Sequence, residues 1–368
     1  MTHLSVRSSP LPRARATLRD VALAAGVSKT VASRALAGYA DVAPATRERI
    51  LRMAGDLGYR ASARAQALSA GKGALARCAV VSLGMTSAEF GRSFYGPVLT
   101  GIAAQASSQG MDVHLVTIPS DSADLADALG KLVAEDRADG FILLTFIPLA
   151  PNHVRPLDAA GTPYVLINRH FDEQPINCVT PDWAAAMEEA VEYLVALGHR
   201  RLAALLEDTS TSAVRDRARG WREGAARHAI ATEDAPILYF GGGGWNGGYD
   251  LTNRLLTAGP AVRGVRPTGL VCFDDYCAHG VLAAARDLGV AVPEELSVLS
   301  FDDVIAAYTM PPLCSFDPHL HELGVAAATL LAAVLHGDQP EPRRVLVKPN
   351  LRRRESCGPA PESMSRDG

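Results

Sequence analysis

The sequence predicts an α/β chain with a small all-helical unit at its N-terminus, followed by two doubly wound parallel-sheet subdomains. Residues 17–60 read as three short helices with a tight turn between the first two. From Cys78 onward, apolar strand candidates alternate with helical patterns almost to the end of the chain. This alternation runs for about 290 residues, more than one hydrophobic core comfortably serves, so two subdomains with a cleft between them are expected.

In chain order, residues 1–16 are polar, contain Pro and Arg and show no period, which predicts a disordered lead. Thr17 is expected to cap the helix LRDVALAAG, with Val21, Ala22 and Ala25 on its inner face and Gly26 ending it. Ser28 caps a second helix, KTVASRALAG. Ala43 and Pro44 open a third, where Pro fits because the first-turn N–H it lacks has no helical partner anyway; Ile50, Leu51, Ala54 and Leu57 point inward and Gly58 closes it. Together these helices make a helix-turn-helix unit over residues 17–60. Residues 61–77 (ASARAQALSAGKGALAR) are a linker whose helical stretch is too short to hold in water without a partner.

The sheet region, 78–350, then alternates CAVVSLGM, helix 94–109, MDVHLVTI, helix 122–136, GFILLTFI, PYVLIN, helix 183–197, RRLAALL and helix 214–229. It continues with PILYF, helix 246–258, TGLVCF, helix 275–288, LSVLSF and helix 319–335. Such βαβ repetition predicts parallel sheets whose ligands bind at the carboxyl ends of the strands. The chain is expected to cross between the two subdomains near 180 and 310, and residues 351–368 to form a tail.

Composition narrows the function classes. The chain has 368 residues, 48% apolar and 21% charged, without an apolar run long enough to span a bilayer or the apolar stretch of a secretory signal, so a cytoplasmic protein is expected. Six scattered cysteines form no CxxC pair and read as small buried hydrophobes. The net charge of −4 hides an asymmetry: residues 1–77 carry 13 Lys/Arg against 4 Asp/Glu, leaving −13 for the rest. A basic module on an acidic body suits phosphate contacts at one end only. GGGGWNGGY (241–249) lacks the spacing of a phosphate loop and reads as a loop at the cleft edge, from which Trp245 reaches toward a ligand. His319, His321 and Glu322 read as polar surface rather than a metal site, and Cys272 and Cys277 have no positioned His. No catalytic set, metal or cofactor is expected.

The run TLRDVALAAGVSKTVASRALAG, with TRERILRMAGDLGYR and ARAQAL after it, resembles without gaps the DNA-binding domain of the lac-repressor (galactose-repressor) family of bacterial transcription regulators. Further stretches continue the likeness in order: ADGFILL, PYVLINR, LGHRRLA, RDRARGWREG, FDD, VPEELSVLSFDD and PPLCSFDP. The resemblance implies a periplasmic-binding-protein-like sensor behind the helix-turn-helix. It also implies a regulator, expected to be a repressor, whose operator affinity is set by a sugar-like small molecule held between the subdomains.

By position in the family, Lys29, Thr30 and Arg34 face base edges, where Lys and Arg suit guanine, and Leu68 is the minor-groove wedge of the linker helix. Ser28, Arg47 and Arg64 fall to phosphates. Val31, Ala37, Ala43 and Ser62 depart from the family's usual residues, so a known operator sequence does not transfer. Effector contacts map to Asn168, Arg217, Asp275 and Asp302, with Phe94 and Tyr95 as stacking aromatics; Asp274 and Asp317, where amides are common, make the cleft more acidic than usual. Asp302 has a plainer alternative reading, as the cap of the loop after LSVLSF. A homodimer on a pseudo-palindromic double-stranded operator is expected, because one recognition helix reads too few bases. A last stretch, CGPAPESMSRDG, without heptads argues against a tetramerising coil. A periplasmic sugar-binding protein or an enzyme on the same fold would have no use for the basic helical unit.

Overall fold

Three helices form the first unit of the computed structural model, which describes residues 18–36, 42–57, 76–84, 94–119, 124–145, 147–241, 243–257, 266–338 and 341–361. They are α1 (Leu18–Ala24), α2 (Lys29–Leu36) and α3 (Pro44–Asp56). Gly26, at φ +62°, ends α1 in the left-handed region that costs glycine little. Ser28 then accepts the Val31 N–H at 3.3 Å, the N-cap bond that starts α2. Val21, Ala25, Ala35, Val42, Ile50 and Ala54 close a small core. Leu51 and Leu57, expected inside, are 51% and 42% exposed. At 3.6 residues per turn the inward stripe of α3 runs through Ile50 and Ala54; Leu51 falls about 100° from Ile50, and Leu57 is the C-cap, past the last helical residue. Thr17, Gly58, Arg64, Leu68 and the rest of residues 61–75 of the linker lie outside the described residues, while Arg77, expected to end the linker, opens β1. The chain divides into two units, residues 1–75 and 76–368.

The second unit contains two six-stranded sheets. The first has the order β11-β5-β4-β3-β1-β2 and is wholly parallel. Its strands are β1 (Arg77–Leu83), β2 (Asp112–Ile118), β3 (Gly140–Thr145), β4 (Tyr164–Ile167), β5 (Cys178–Pro181) and β11 (Arg344–Val347). Alternate residues of β3 enter opposite cores. Ile142 and Leu144 pack toward α4 (Tyr95–Ser108) and α11 (Leu320–His336), while Phe141 and Leu143 pack toward α5 (Leu125–Ala134) and α6 (Pro151–Ala159). Burial on both faces explains the uninterrupted apolar run GFILLT.

The second sheet repeats the plan in the order β12-β10-β9-β8-β6-β7, parallel except for the β10–β12 pair. It comprises β6 (Leu202–Glu207), β7 (Ile237–Phe240), β8 (Gly269–Cys272), β9 (Ser297–Phe301), β10 (Cys314–Asp317) and β12 (Asn350–Arg352). α7 (Trp183–Ala196) and α8 (Ser212–Arg227) cover one face, α9 (Gly244–Thr257) and α10 (Asp275–Asp287) the other. This is the predicted pair of doubly wound subdomains.

Two features of the chain path differ from expectation. Beyond the crossings that follow β5 and β10, a third runs from β11 to β12, because the last two strands are each added to a different sheet. The chain after 350 is not a tail. β12 pairs with β10, and Ser356, fully buried, accepts the Cys314 N–H at 2.8 Å and donates to the Val298 carbonyl at 2.5 Å. Ala360 N–H donates to Leu197 O at 2.8 Å. These anchors are polar, so hydrophobic periodicity gave no sign of them.

α7 and α8 approach closely at Gly220, where an added Cβ would lie 2.1 Å from the Ala184 carbonyl oxygen. Gly220→Ala therefore forces the helices apart, and we expect a loss of about 1–3 kcal/mol, read as a lower thermal midpoint. An unchanged midpoint would refute the close approach.

Candidate functional site

In both sheets the strand order reverses beside the first strand, β1 in one and β6 in the other, and doubly wound sheets bind ligands in the crevice at the carboxyl ends there. Polar, charged and aromatic residues of both lobes converge on those ends. Asn168 follows β4, Glu207 ends β6, Phe273 and Asp274 follow β8, and Asp302 follows β9. Asn168 (φ 59°), Asp302 (φ 91°) and Asp303 (φ 50°) hold left-handed backbone conformations that non-glycine residues rarely adopt. Such strain persists where the surroundings overdetermine it, often at ligand sites.

Arg217 lies at the centre, 2% exposed, with its guanidinium carbon 3.5 Å from the centroid of the Trp183 ring and 4.5 Å from that of Phe273. Stacking on an indole face suits a planar, weakly hydrated cation, and Arg217 Nη1 donates to Ala213 O at 3.3 Å. Asp302 Oδ1 is 4.0 Å from Arg217 Nη2, an ion pair too long for a hydrogen bond. Burial lowers the Arg217 pKa to about 10 and raises that of Asp302 well above the carboxylate range. Trp183 carries the cluster across the cleft, its indole N–H donating to Asn168 Oδ1 at 2.7 Å. From the first lobe Arg169, 8% exposed, donates to Asn168 O at 2.7 Å. Arg169 Nε, Arg217 Nε and Asp302 Oδ1 are buried without a hydrogen-bond partner.

Just outside this cluster, α8 is tied to the first lobe. Asp216 Oδ2 lies 2.9 Å from His170 Nε2 and 3.0 Å from Arg344 Nη2, while Arg215 Nη2 reaches Asp172 at 2.8 Å. Successive residues of one helix thus hold the opposite lobe and line the cleft.

Three of the six effector candidates lie in this cluster, one stands at the start of α4 and two have other duties. Asn168, Arg217 and Asp302 belong to the cluster, and Phe94, half-buried, stands at the start of α4 against Tyr95, centroids 4.9 Å apart. Asp275 is a correction. It is fully buried, accepting from Ser300 Oγ (2.6 Å), Ser315 Oγ (2.8 Å) and the N–H groups of Val304 (2.7 Å), Ile305 (3.0 Å) and Ala306 (3.2 Å). Five bonds occupy both oxygens, so Asp275 positions the loop that presents Asp302 instead of offering a ligand contact. Tyr95 is likewise core, 1% exposed with its hydroxyl on Thr145 O at 3.1 Å, and burial raises its pKa to about 12. Sequence reasoning missed Arg169, Glu207, Trp183 and Phe273 as site residues; Arg169 and Glu207 had a signal, each being a charge that closes an apolar strand run. Trp245 stacks on Tyr249 on α9, centroids 5.3 Å apart.

On the helical unit, Ser28, Lys29, Thr30 and Arg34 are exposed at and along the start of α2, and Arg47 is half-buried on α3. Ala32 and Ala35 of α2 face inward. Among the described residues no helix is long and apolar enough to cross a membrane, and no group of three His, Cys, Asp or Glu is arranged to hold a metal ion.

Comparison with known proteins adds the following. Residues 17–62 match the model of bacterial regulatory proteins of the lacI family, and residues 191–357 that of a periplasmic binding protein-like domain. An uncharacterized HTH-type transcriptional regulator in the aml 5′ region of Streptomyces limosus is 30% identical over 87% of this chain and 88% of its own length. The HTH-type transcriptional regulator CelR of Thermobifida fusca is 29% identical over 94% of this chain and 99% of its own. A solved CelR–cellobiose complex superimposes with a TM-score of 0.68 at 27% identity, covering 93% of this chain and 100% of that one. The lac repressor dimer bound to operator and the anti-inducer ONPF shares the fold, with a TM-score of 0.75 at 24% identity over 94% of this chain and 100% of that one.

Asp274 supplies a pH test. It caps α10 by accepting the Cys277 N–H at 2.7 Å, and burial raises its pKa to about 6 from 3.8. A carboxyl with a higher pKa folded than unfolded loses stability as pH rises from about 4, and the loss is complete above about 6. Asn keeps the cap without the charge. Asp274→Asn should therefore melt higher than the parent at pH 7.5, by at most about 3 kcal/mol and less where water reaches the carboxylate. The two curves should converge near pH 4. A difference independent of pH would contradict the assignment.

Proposed function

Because the chain belongs to the lacI family of bacterial regulatory proteins, and is a DNA-binding transcription regulator and not an enzyme, we propose that it is a cytoplasmic repressor released or recruited by a sugar-like effector bound between its lobes. The observation that carries this reading is the buried set of Arg169 after β4, Arg217 on α8 and Asp302 after β9, whose donor and acceptor atoms both include ones without a hydrogen-bond partner. Buried polar groups are normally satisfied, so unpaired donors beside an unpaired acceptor suit a ligand bearing several hydroxyls, each able to donate and accept. The ring of Phe273, half-buried beside Arg217, suits the apolar face of a sugar ring. CelR's complex with cellobiose makes β-linked glucosides the first compounds to try.

Operator contact falls to Lys29, Thr30 and Arg34 for bases and to Ser28, Arg47 and Arg64 for phosphates, with Leu68 as the minor-groove wedge. The exposed start of α2 over an inward Ala32–Ala35 face supports the first group. A homodimer gives two such helices on one operator. Exposed apolar side chains on the edge strands, Val113 and Leu115 on β2 and Tyr239 on β7, together with Tyr308 and Met310, are the surface a second copy would cover.

Thermal-shift measurements with cellobiose, other sugars and polyols test the sensor. A stabilising compound is expected, and Arg217→Ala with Asp302→Ala should abolish its shift while leaving operator binding in gel-shift assays near that of the parent. Undiminished effector affinity in the double variant would move the site elsewhere. For the DNA face, Arg34→Ala should lower affinity for the operator by about 1–3 kcal/mol with little change on random DNA, whereas Arg47→Ala should weaken both alike and flatten the salt dependence. Equal losses on specific and random DNA for both variants would show that α2 does not read bases.

A further inference from the structure

Among the described residues of the second unit, the buried Asp and Arg side chains are Arg169, Asp216, Arg217 and Asp275. Three of them have their charge met. Asp216 lies 2.9 Å from His170 and 3.0 Å from Arg344, and Asp275 accepts from two hydroxyls and three backbone N–H groups. Arg217 has the faces of Trp183 and Phe273 and, at 4.0 Å, Asp302. Arg169 is different. At 8% exposure its single bond runs from Nη1 to the carbonyl of its own neighbour, Asn168, and among the described residues it has neither an ion pair nor a ring against it. Buried charges are ordinarily paired, since desolvation penalises a lone one heavily.

The bond to Asn168 leaves free the edge of the guanidinium that carries Nε and Nη2, and Nε is buried without a partner. The two N–H groups of that edge run parallel, at the spacing of two oxygens of a carboxylate or a phosphate. Arg169 lines a hollow of about 240 Å³ between the lobes, together with Pro151 and His170 of the first and Thr211, Ser212 and Arg215 of the second. Thr211 caps α8 and Ser212 opens it, so the positive end of a 16-residue helix borders the same space. The carboxylates nearby do not answer Arg169. Asp172 is taken by Arg215 at 2.8 Å and His170 at 3.2 Å, Glu173 is exposed, and Glu207, whose charge acts on Arg169, forms no hydrogen bond or ion pair with it.

We propose that the effector is a sugar derivative bearing an anionic group, a carboxylate or a phosphate, which Arg169 receives through its Nε–Nη2 edge while Arg217 and Asp302 take ring hydroxyls. This rests on the sensor reading above and narrows it. The unliganded fold carries an unmatched buried cation, and the ligand's anion supplies the missing partner to a guanidinium already desolvated and held in place. A neutral sugar leaves Arg169 unmet, so the same residue discriminates against it.

Calorimetry and thermal shift on the full-length protein with matched pairs test this: cellobiose against cellobionate, glucose against glucuronate, and glucose against glucose 6-phosphate. In at least one pair the anion should bind roughly tenfold or more tightly than its neutral partner, the size of a charge-assisted hydrogen bond, and the pair that responds tells carboxylate from phosphate. Arg169→Gln should bring the two members of that pair to equal affinity. Without ligand, Arg169→Met should melt at or above the parent's temperature, because it removes an unmatched charge and keeps the apolar stem, whereas a clear fall would make Arg169 a structural residue and overturn the proposal. Inorganic phosphate separates this inference from the sugar reading. If no sugar binds but phosphate stabilises the parent and not Arg169→Gln, the anion site stands and the sugar reading falls. If neutral sugars bind as tightly as their acids and phosphates, or the preference survives Arg169→Gln, the anion site falls and the sugar reading stands. No Arg169-dependent response to any of these anions would likewise overturn the proposal.

Discussion

The second unit is organised around one buried cation. Arg217 cannot reach water, so its charge must be met within the fold, and the fold meets it with the face of Trp183, the ring of Phe273 and the carboxylate of Asp302. Each partner comes from a different element: the start of α7, the end of β8 and the end of β9. The close approach of α7 and α8 at Gly220 sets the stacking distance, and five hydrogen bonds to Asp275 hold the loop behind Asp302. Removing a charge's partner in such a place costs far more than removing an exposed one, because desolvation has already been incurred.

The same helix carries the link between lobes. Asp216 and Arg215 face the first lobe and Arg217 faces the cleft, so a ligand that draws on Arg217 acts on the element that also sets lobe orientation. A ligand shifts a conformational equilibrium only by its differential affinity for the two states, and a helix shared between site and lobe contact is where such a difference arises. Trp183 closes the circuit by donating to Asn168 across the cleft. Effector and operator affinities would then alter each other by the same factor.

Much of this was legible in the residues. The period of 3.6 in LRDVALAAG and KTVASRALAG, the glycine at 26 and the serine at 28 define the helical unit, because these are local preferences. Continuous apolar runs such as GFILLT mark strands buried on both faces, and their alternation with helices implies parallel sheets. Arg217 and Asp302 were accessible only through the resemblance to the lac-repressor family, whose effector contacts map onto RDRARGWREG and LSVLSFDD. Leu51 misled because an apolar residue beside a helix stripe looks like a member of it, and Leu57 because it keeps the stripe's spacing but stands past the helix end.

The sequence by itself determined which segments form helices and strands, that they build two doubly wound layers, and where ligand-binding ends must lie, since these follow from periodicity and from the handedness of βαβ connections. Only the tertiary structure decided which of two neighbouring aspartates is structural and which faces the cleft. Asp274 and Asp275 are chemically identical, and they differ because one reaches Ser300, Ser315 and three loop N–H groups while the other caps α10 near Arg217. It also decided that residues 350–361 belong to the second lobe, through the β10–β12 pair and the buried Ser356. These facts depend on contacts between residues far apart in the chain, made through single hydrogen bonds that leave no period in the sequence.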